Sequence, residues 1–193
     1  MAQDSSRPDF WDQRYQQGVM PWDGGEVPRD FKNWCARLTP GARVLVPGCG
    51  TGYEVAVLDN AGARVDAIDF SPEAVGRAQA WLGARADLVR QADFFALGAS
   101  TYDFVYERAF LCALPPRVWA AYAAKMAECI RPGGALVGYF FLKSTAKGPP
   151  FGTTEPALCD LLASHFRLAE QWPVEDSLPV FAGHERWMHW QRI

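Results

Sequence analysis

Short apolar runs alternate with amphipathic stretches along most of this chain. Runs over residues 44–46, 64–68, 87–91, 102–106 and 135–142 are rich in aliphatic and aromatic side chains. Runs of that length and character predict strands buried on both faces of a parallel sheet. Between them the apolar positions recur at helical spacing. Residues 53–60 read as a helix. Ser71 is placed to cap the next one, with Pro72 at its first position and Ala74, Val75, Ala78 and Trp81 on its buried face. Gly83 ends it. Pro115 and Pro116 open a further helix with Val118, Trp119, Tyr122, Met126, Cys129 and Ile130 on one side, and Arg131-Pro132-Gly133-Gly134 breaks it. Residues 155–166 form the last, with Leu158, Leu161 and Leu162 inward.

Both ends of the chain depart from this alternation. Asp9 is placed to cap a short helix that carries Phe10, Trp11 and Tyr15 and stops at Gly18. Pro28 opens a second, with Phe31, Trp34, Cys35 and Leu38 at i, i+3, i+4 and i+7. At the far end, residues 167–172 and 185–192 read as strands, with Trp187 and His189 on one face and Met188 and Trp190 on the other. The link between them is too short for a crossover helix, so they form an antiparallel pair at one edge. Residues 173–183, with Pro179 and Phe181, read as a surface loop. The expectation is a doubly wound α/β domain with a mostly parallel, seven-stranded sheet and an antiparallel last strand. One domain spans residues 1–193, with 1–40 as a helical N-terminal lid and 41–193 as the sheet core.

Composition narrows the setting. The chain has 193 residues, 49% of them hydrophobic and 21% charged, which suits one globular domain. A net charge of −3 without any basic block argues against nucleic acid as a partner. The apolar run over 135–142 is far too short for a bilayer, and residues 1–8 lack the apolar core of a signal peptide. Five cysteines without a C-x-x-C pair read as reduced core thiols of a cytoplasmic protein. His184 and His189 are one residue too far apart for a zinc-protease pair and lie on a strand, so no metal is expected. The remaining partner is a small molecule, met by a monomer.

The chemistry gathers around one loop. The strand over 44–46 runs into Gly48-Cys49-Gly50-Thr51-Gly52, and a helix follows at Tyr53. Strand, glycine turn and helix let backbone approach a nucleoside without a Cβ in the way. The next strand ends at Asp69, about 20 residues on, the usual place for an acid that accepts hydrogen bonds from ribose, or else for a partner to the start of the next helix, which Ser71 already caps. A dinucleotide fingerprint wants a glycine where Tyr53 stands, and Glu54 would set negative charge where a pyrophosphate sits. A ribose-bearing ligand with an amino-acid tail and no phosphate fits better. S-adenosylmethionine (SAM) is such a ligand.

Other strand ends add candidates. Asp93 and Phe94 are placed to receive and cover an adenine, or else to start a helical turn beside a core aromatic. Arg108 offers a cation for a carboxylate or an anionic acceptor, or for a surface ion pair. Glu107, next to it, should point the other way. Trp11, Tyr15 and Trp22 form an aromatic group suited to a sulfonium cation or to simple packing of an N-terminal arm. Pro149, Pro150, Phe151 and Phe181 give a stiff apolar wall, for an acceptor or for a loop alone.

In combination these strings resemble the thiopurine S-methyltransferase family. They are Phe10-Trp11, Tyr15, Pro21-Trp22-Asp23-x-Gly25, Val46-Pro47-Gly48-Cys49-Gly50, Asp93-Phe94-Phe95, the run Glu107-Arg108-Ala109-Phe110-Leu111-Cys112-Ala113-Leu114-Pro115-Pro116, and Gly148-Pro149-Pro150-Phe151. The Pro-Trp-Asp segment is more similar to the halide/thiol methyltransferase branch. The resemblance implies a Rossmann-like, class I SAM-dependent methyltransferase. It implies cofactor contacts at Trp11, Tyr15, Trp22, Gly48, Asp69, Asp93, Phe94 and Arg108, to which the glycine loop adds Gly50. It also puts Arg108 near the acceptor. Arg108 is then the expected catalytic residue, and Trp22, Pro150 and Phe151 are the expected acceptor contacts beside it. Many thiopurine-type members have Leu and Cys-Gly-Lys where this chain has Gly48 and Cys49-Gly50-Thr51, and halide/thiol members tend to have Tyr at the place of Arg108. The implied reaction is direct displacement by a thiol or thiopurine sulfur, or by a halide, selenium or tellurium nucleophile. Two other readings stay open. One is a nicotinamide-dependent oxidoreductase, although no proton donor presents itself beside the glycine loop and Asp69. The other is a SAM-binding protein without turnover.

Overall fold

The aliphatic runs become strands where both faces are covered. Val44, Leu45 and Val46 are buried in β1 (Arg43–Pro47), and Ala67 and Ile68 in β2 (Arg64–Asp69). The computed structural model describes residues 4–98 and 101–193. Met1, Ala2 and Gln3, the start of the expected lid, lie outside them. The chain divides into two compact units after Gly98.

In the first unit, α1 (Pro8–Gln17) and α2 (Arg29–Cys35) precede β1. Then come α3 (Tyr53–Asn60), β2, α4 (Pro72–Leu82) and β3 (Val89–Gln91). The three strands are parallel, with Val46 opposite Ala67 and Ala67 opposite Val89. The second unit runs β4 (Tyr102–Arg108), α5 (Phe110–Ala113), α6 (Trp119–Cys129), β5 (Ile130–Phe141), α7 (Glu155–Leu162), β6 (Phe166–Pro173) and β7 (Glu185–Arg192). There β4 and β5 are parallel, while β7 is antiparallel to both β5 and β6. All seven strands form one mixed sheet in the order β3-β2-β1-β4-β5-β7-β6. The seven-stranded, largely parallel sheet with antiparallel last strands is therefore as the sequence predicts.

Several local expectations are corrected. Asp9 does not cap α1. Pro8 starts the helix behind Arg7, and Asp9 sits in its first turn, paired with Arg7 at 3.1 Å. Pro8 already has the helical φ, so the helix begins one residue earlier. Gly18 ends it in the left-handed region, φ 68°. Trp81 is not on the buried face of α4. It is 49% exposed, and Leu82 takes the inward position after Ala74, Val75 and Ala78. The tryptophan instead meets Tyr53 edge-on at 5.0 Å. Residues 83–88 are 3-10 turns without a buried side chain, so β3 begins only at Val89.

The Arg-Pro-Gly-Gly string does not precede β5 but lies inside it. Tyr102 pairs with Ile130 and Phe104 with Ala135, a register jump that extrudes the residues between. Gly134 permits the approach, because a Cβ there would lie 2.5 Å from the Asp103 carbonyl oxygen. Helix α7 stops at Leu162, four residues early. Phe181 is not on a surface loop. It is 3% exposed and packs on Phe141 at 5.6 Å, anchoring the segment before β7. Among the described residues no helix is long and apolar enough to cross a membrane.

Candidate functional site

In the first unit, the carboxyl ends of β1, β2 and β3 converge. Gly48, Gly50 and Gly52 follow β1 with φ of 61°, 54° and 77°, a region open to glycine at no steric cost. Two of them are also crowded. A Cβ on Gly50 would lie 3.1 Å from the Tyr15 hydroxyl, and one on Gly52 would lie 3.3 Å from the Ala78 Cβ. Asp69 ends β2 beneath this loop. Its Oδ2 accepts the Gly50 N–H at 3.1 Å, and its Oδ1 accepts the Ser71 N–H at 3.0 Å. The backbone N–H of Phe70 acts on the same carboxyl. Burial pushes the Asp69 carboxyl up to about 6, against the opposing pull of those backbone N–H groups. Next door, Asp93 caps the turn Phe94–Ala96 and accepts the Phe95 N–H at 2.9 Å. Phe94 is buried beside it, and the Ala92 N–H reaches the Asp69 carbonyl at 3.0 Å.

The aromatic group at the N-terminus is held on this same unit, where the sequence offered it nothing to pack on. Trp22 meets Trp11 edge-on at 5.2 Å and Tyr15 at 6.1 Å. The Trp22 side chain also hydrogen-bonds the Tyr15 hydroxyl. Trp11 gives its indole N–H to the Ser5 carbonyl at 2.8 Å. Three acids and bases that sequence reasoning passed over do the fastening. Asp12 accepts the Ser71 hydroxyl at 2.5 Å, and Arg77 donates to the Tyr15 carbonyl at 2.5 Å. Asp23 accepts the Thr51 hydroxyl at 2.6 Å, which ties the Pro-Trp-Asp segment to the glycine loop. Asp23 stood in plain view beside Trp22. Asp12 and Arg77 gave no signal beyond being polar residues on helices.

The second unit carries the other candidates. Glu107 and Arg108 end β4. Glu107 is 1% exposed, and its Oε2 accepts the N–H groups of Phe110 at 2.8 Å and Leu111 at 2.9 Å. Burial pushes this carboxyl up to about 8, and nearby Glu185 pushes the same way. The guanidinium of Arg108 lies 5.7 Å from the Tyr139 ring centroid, within cation–π range. Its charge also reaches Glu185, where it draws down a carboxyl that burial raises. Pro150 and Phe151 belong to the loop after β5. The Phe151 N–H donates to the Cys112 carbonyl at 2.6 Å, and the Pro150 carbonyl accepts the Thr145 hydroxyl at 3.3 Å. Glu185 escaped the sequence reading, where Glu107 figured only as pointing away from Arg108 and Cys112 only as a core thiol.

All five cysteines carry free thiols, four of them buried. Burial pushes the Cys49 and Cys112 thiols well up, so neither is poised as a nucleophile. Among the described residues no group of three His, Cys, Asp or Glu side chains is placed to hold a metal ion.

Comparison with known proteins points one way. The family model for thiopurine S-methyltransferase (TPMT) matches residues 6–192. A thiopurine S-methyltransferase of Pseudomonas fluorescens (strain SBW25) is 32% identical over 183 residues, which cover 83% of this chain and 84% of that protein. A probable thiol methyltransferase 2 of Arabidopsis thaliana is 30% identical over 148 residues, 73% of this chain and 66% of that one. Among solved structures, the 1,6-didemethyltoxoflavin-N1-methyltransferase of Burkholderia thailandensis, with 1,6-didemethyltoxoflavin and S-adenosylhomocysteine bound, is similar. It superposes with a TM-score of 0.75 at 26% identity, over 96% of this chain and 86% of that one.

Proposed function

The chain belongs to the thiopurine S-methyltransferase family, and from that premise we propose that it moves the methyl group of SAM to a small thiol or thiopurine sulfur, with halide, selenium and tellurium nucleophiles as further acceptors. Membership makes it a SAM-dependent methyltransferase rather than a nicotinamide oxidoreductase or a mere binder of SAM. When bound, SAM supplies an electrophilic methyl group on a positively charged sulfur.

The observation that carries this reading is the cradle made by Asp69, Gly50 and Tyr15. Its chemistry fits the cofactor. A buried carboxylate suits a ribose diol, and glycines at left-handed φ bring backbone rather than side chains to the strand end. Glu54, buried in the first turn of α3, disfavours a phosphate. In this reading Asp69 takes the ribose, and Gly48 and Gly50 offer their backbone. Asp93 takes the adenine amino group and Phe94 covers its ring. The rings of Trp11, Tyr15 and Trp22 exclude water and turn electron-rich faces to a cation, worth about 2 kcal/mol for a desolvated face. The first 40 residues then act as a lid on a single methyltransferase domain.

Arg108, Pro150 and Phe151, all on the second unit, receive the acceptor in this proposal. A thiol with a pKa near 8.5 is already partly ionised at neutral pH, so no general base is required. Arg108 holds the anionic sulfur, and the proline-aromatic loop gives it an apolar wall. The enzyme works as a cytoplasmic monomer on a small molecule. The test is a screen of purified protein with SAM against small thiols, thiopurines, iodide, selenite and tellurite. It follows release of S-adenosylhomocysteine, with an NADH titration alongside. Turnover on a sulfur acceptor and no response to NADH are expected. A protein that binds SAM and methylates nothing in the panel would overturn the proposal.

A further inference from the structure

Arg108 attracts notice as the cation at the end of β4, but the side chain before it does more to shape that region. Glu107 is buried to 1% exposure, and its carboxyl accepts two backbone N–H groups. Ala109, two residues on, takes a left-handed conformation, φ 58°, which is uncommon for a residue with a Cβ. That turn swings the N–H groups of Phe110 and Leu111 back onto the Glu107 carboxyl. The result is the single helical turn of α5. Four residues cannot hold themselves in a helix, so this turn depends on its fastenings. One is Glu107 at its start. Another is the Trp119 indole, which donates to the carbonyls of Leu111 at 3.2 Å and Leu114 at 2.9 Å.

A chain of bonds leads on from α5. The Cys112 carbonyl accepts the Phe151 N–H at 2.6 Å. One residue further, the Gly152 N–H reaches the Thr145 hydroxyl at 2.8 Å, and that hydroxyl donates to the Pro150 carbonyl. Gly152 itself admits no side chain, because a Cβ would meet the Lys143 carbonyl oxygen at 1.6 Å. The loop with Pro150 and Phe151 is thus fixed at one point by α5 and at another by Thr145.

We propose that Glu107 is a positioning residue for the methyl acceptor: by holding the N–H groups of Phe110 and Leu111 it sets α5, and through the Cys112 carbonyl it sets Phe151 and the loop that receives the acceptor. This rests on the reading of Arg108, Pro150 and Phe151 as the acceptor side. Glu107 touches none of the reacting atoms. What matters is an acceptor oxygen at its place, not a charge. Glutamine offers such an oxygen, since its amide carbonyl can accept both N–H groups, whereas alanine leaves two buried donors without a partner.

The experiment measures steady-state kinetics with a small thiol at saturating SAM for wild type, Glu107→Ala, Glu107→Gln and Thr145→Val. Calorimetric affinity for S-adenosylhomocysteine is measured beside it. Glu107→Ala should raise the thiol KM about tenfold or more while cofactor affinity stays within about twofold, and Glu107→Gln should stay within about threefold of wild type. Thr145→Val, which loosens the other fastening, should raise KM by about threefold. An unchanged KM in Glu107→Ala overturns the proposal. So does a Glu107→Gln variant as impaired as the alanine, or a loss of cofactor affinity equal to the rise in KM. Should Glu107→Ala fail to fold, an unchanged KM in Thr145→Val overturns it instead. A wild type that turns over no thiol defeats the function itself and the positioning role with it. A wild type that turns over thiols alongside an indifferent Glu107→Ala defeats the positioning role alone.

Discussion

Replacing Asp69 by asparagine separates what this acid does for the fold from what it does for the cofactor. The carboxylate accepts the Gly50 N–H on one oxygen and the Ser71 N–H on the other, and the Phe70 N–H acts on it as well. Asparagine has one carbonyl oxygen, so one donor loses its partner, at about 1–3 kcal/mol. Against this stands the burial of charge. The folded carboxyl titrates near 6 and an ordinary one near 3.8, a separation of about two pH units or roughly 3 kcal/mol. Between those values the folded chain binds more protons than the unfolded chain. Stability is therefore fuller at the acid end of that window and falls as pH rises through it. Above pH 6 the neutral amide escapes that burden. The two effects nearly cancel, and Asp69→Asn should unfold within a few degrees of wild type at pH 8. Cofactor affinity should behave otherwise. Losing one hydrogen bond from a ribose hydroxyl to a carboxylate removes about 2 kcal/mol, roughly a thirtyfold weakening. Wild-type affinity should also fall as pH drops below about 6, where protonation removes an acceptor, while the variant stays flat. Titration calorimetry with S-adenosylhomocysteine from pH 5 to pH 8, paired with thermal unfolding, reads both. Affinity within twofold of wild type at every pH would refute the reasoning.

Three further outcomes follow from the same geometry. Gly50→Ala meets both a left-handed backbone and the Tyr15 hydroxyl at 3.1 Å. It should lower stability by about 1–2 kcal/mol and weaken cofactor binding about tenfold, read by thermal melts and calorimetry. Arg108→Ala should raise the thiol KM or lower kcat by about tenfold with cofactor affinity nearly unchanged; unchanged rate and affinity would remove Arg108 from the reaction. Glu107 is raised to about 8 in the folded chain from an ordinary 4.5, so its protonated form favours folding. Thermal stability should decline as pH rises from 5 to 9, and Glu107→Gln should flatten that decline.

The periodic parts of the chain were legible because burial on two faces leaves a strong imprint. Val44 to Val46 and the alternation after them could scarcely pair in another way. Asp69 was legible through its distance from the glycine loop, since a βαβ unit has a narrow range of lengths. The misreadings share a cause in tertiary context. Trp81 and Leu82 both fit a helical face, and only the position of Ala78 against the loop decides which turns inward. Arg131 to Gly134 has the composition of a break, but a parallel strand can absorb a break as a bulge when a neighbour such as Asp103 lies close. Phe181 stood among loop residues, and its partner Phe141 is distant in sequence. The fastening of the N-terminal arm by Asp12, Asp23 and Arg77 was invisible for the same reason, because each bond joins segments that no local pattern connects.

Asp69 and Glu107 turn out to be the same device in different surroundings. Each is an acid at the carboxyl end of a parallel strand, and each accepts N–H groups of the segment that follows it, Ser71 for Asp69 and Phe110 and Leu111 for Glu107, while Asp69 also takes the Gly50 N–H from the loop after β1. Their titration differs. Burial raises both carboxyls, Asp69 to about 6 and Glu107 to about 8, where nearby Glu185 pushes the same way. Burial therefore disfavours charge more strongly at Glu107, and the proposed roles differ accordingly: at Asp69 a ligand whose charge strengthens its bond to a ribose, at Glu107 a brace that needs only an acceptor oxygen. The two conservative substitutions test that division, since glutamine at position 107 should keep the acceptor oxygen, whereas asparagine at position 69 should lose one of the acceptors that the backbone donors and a ribose would share.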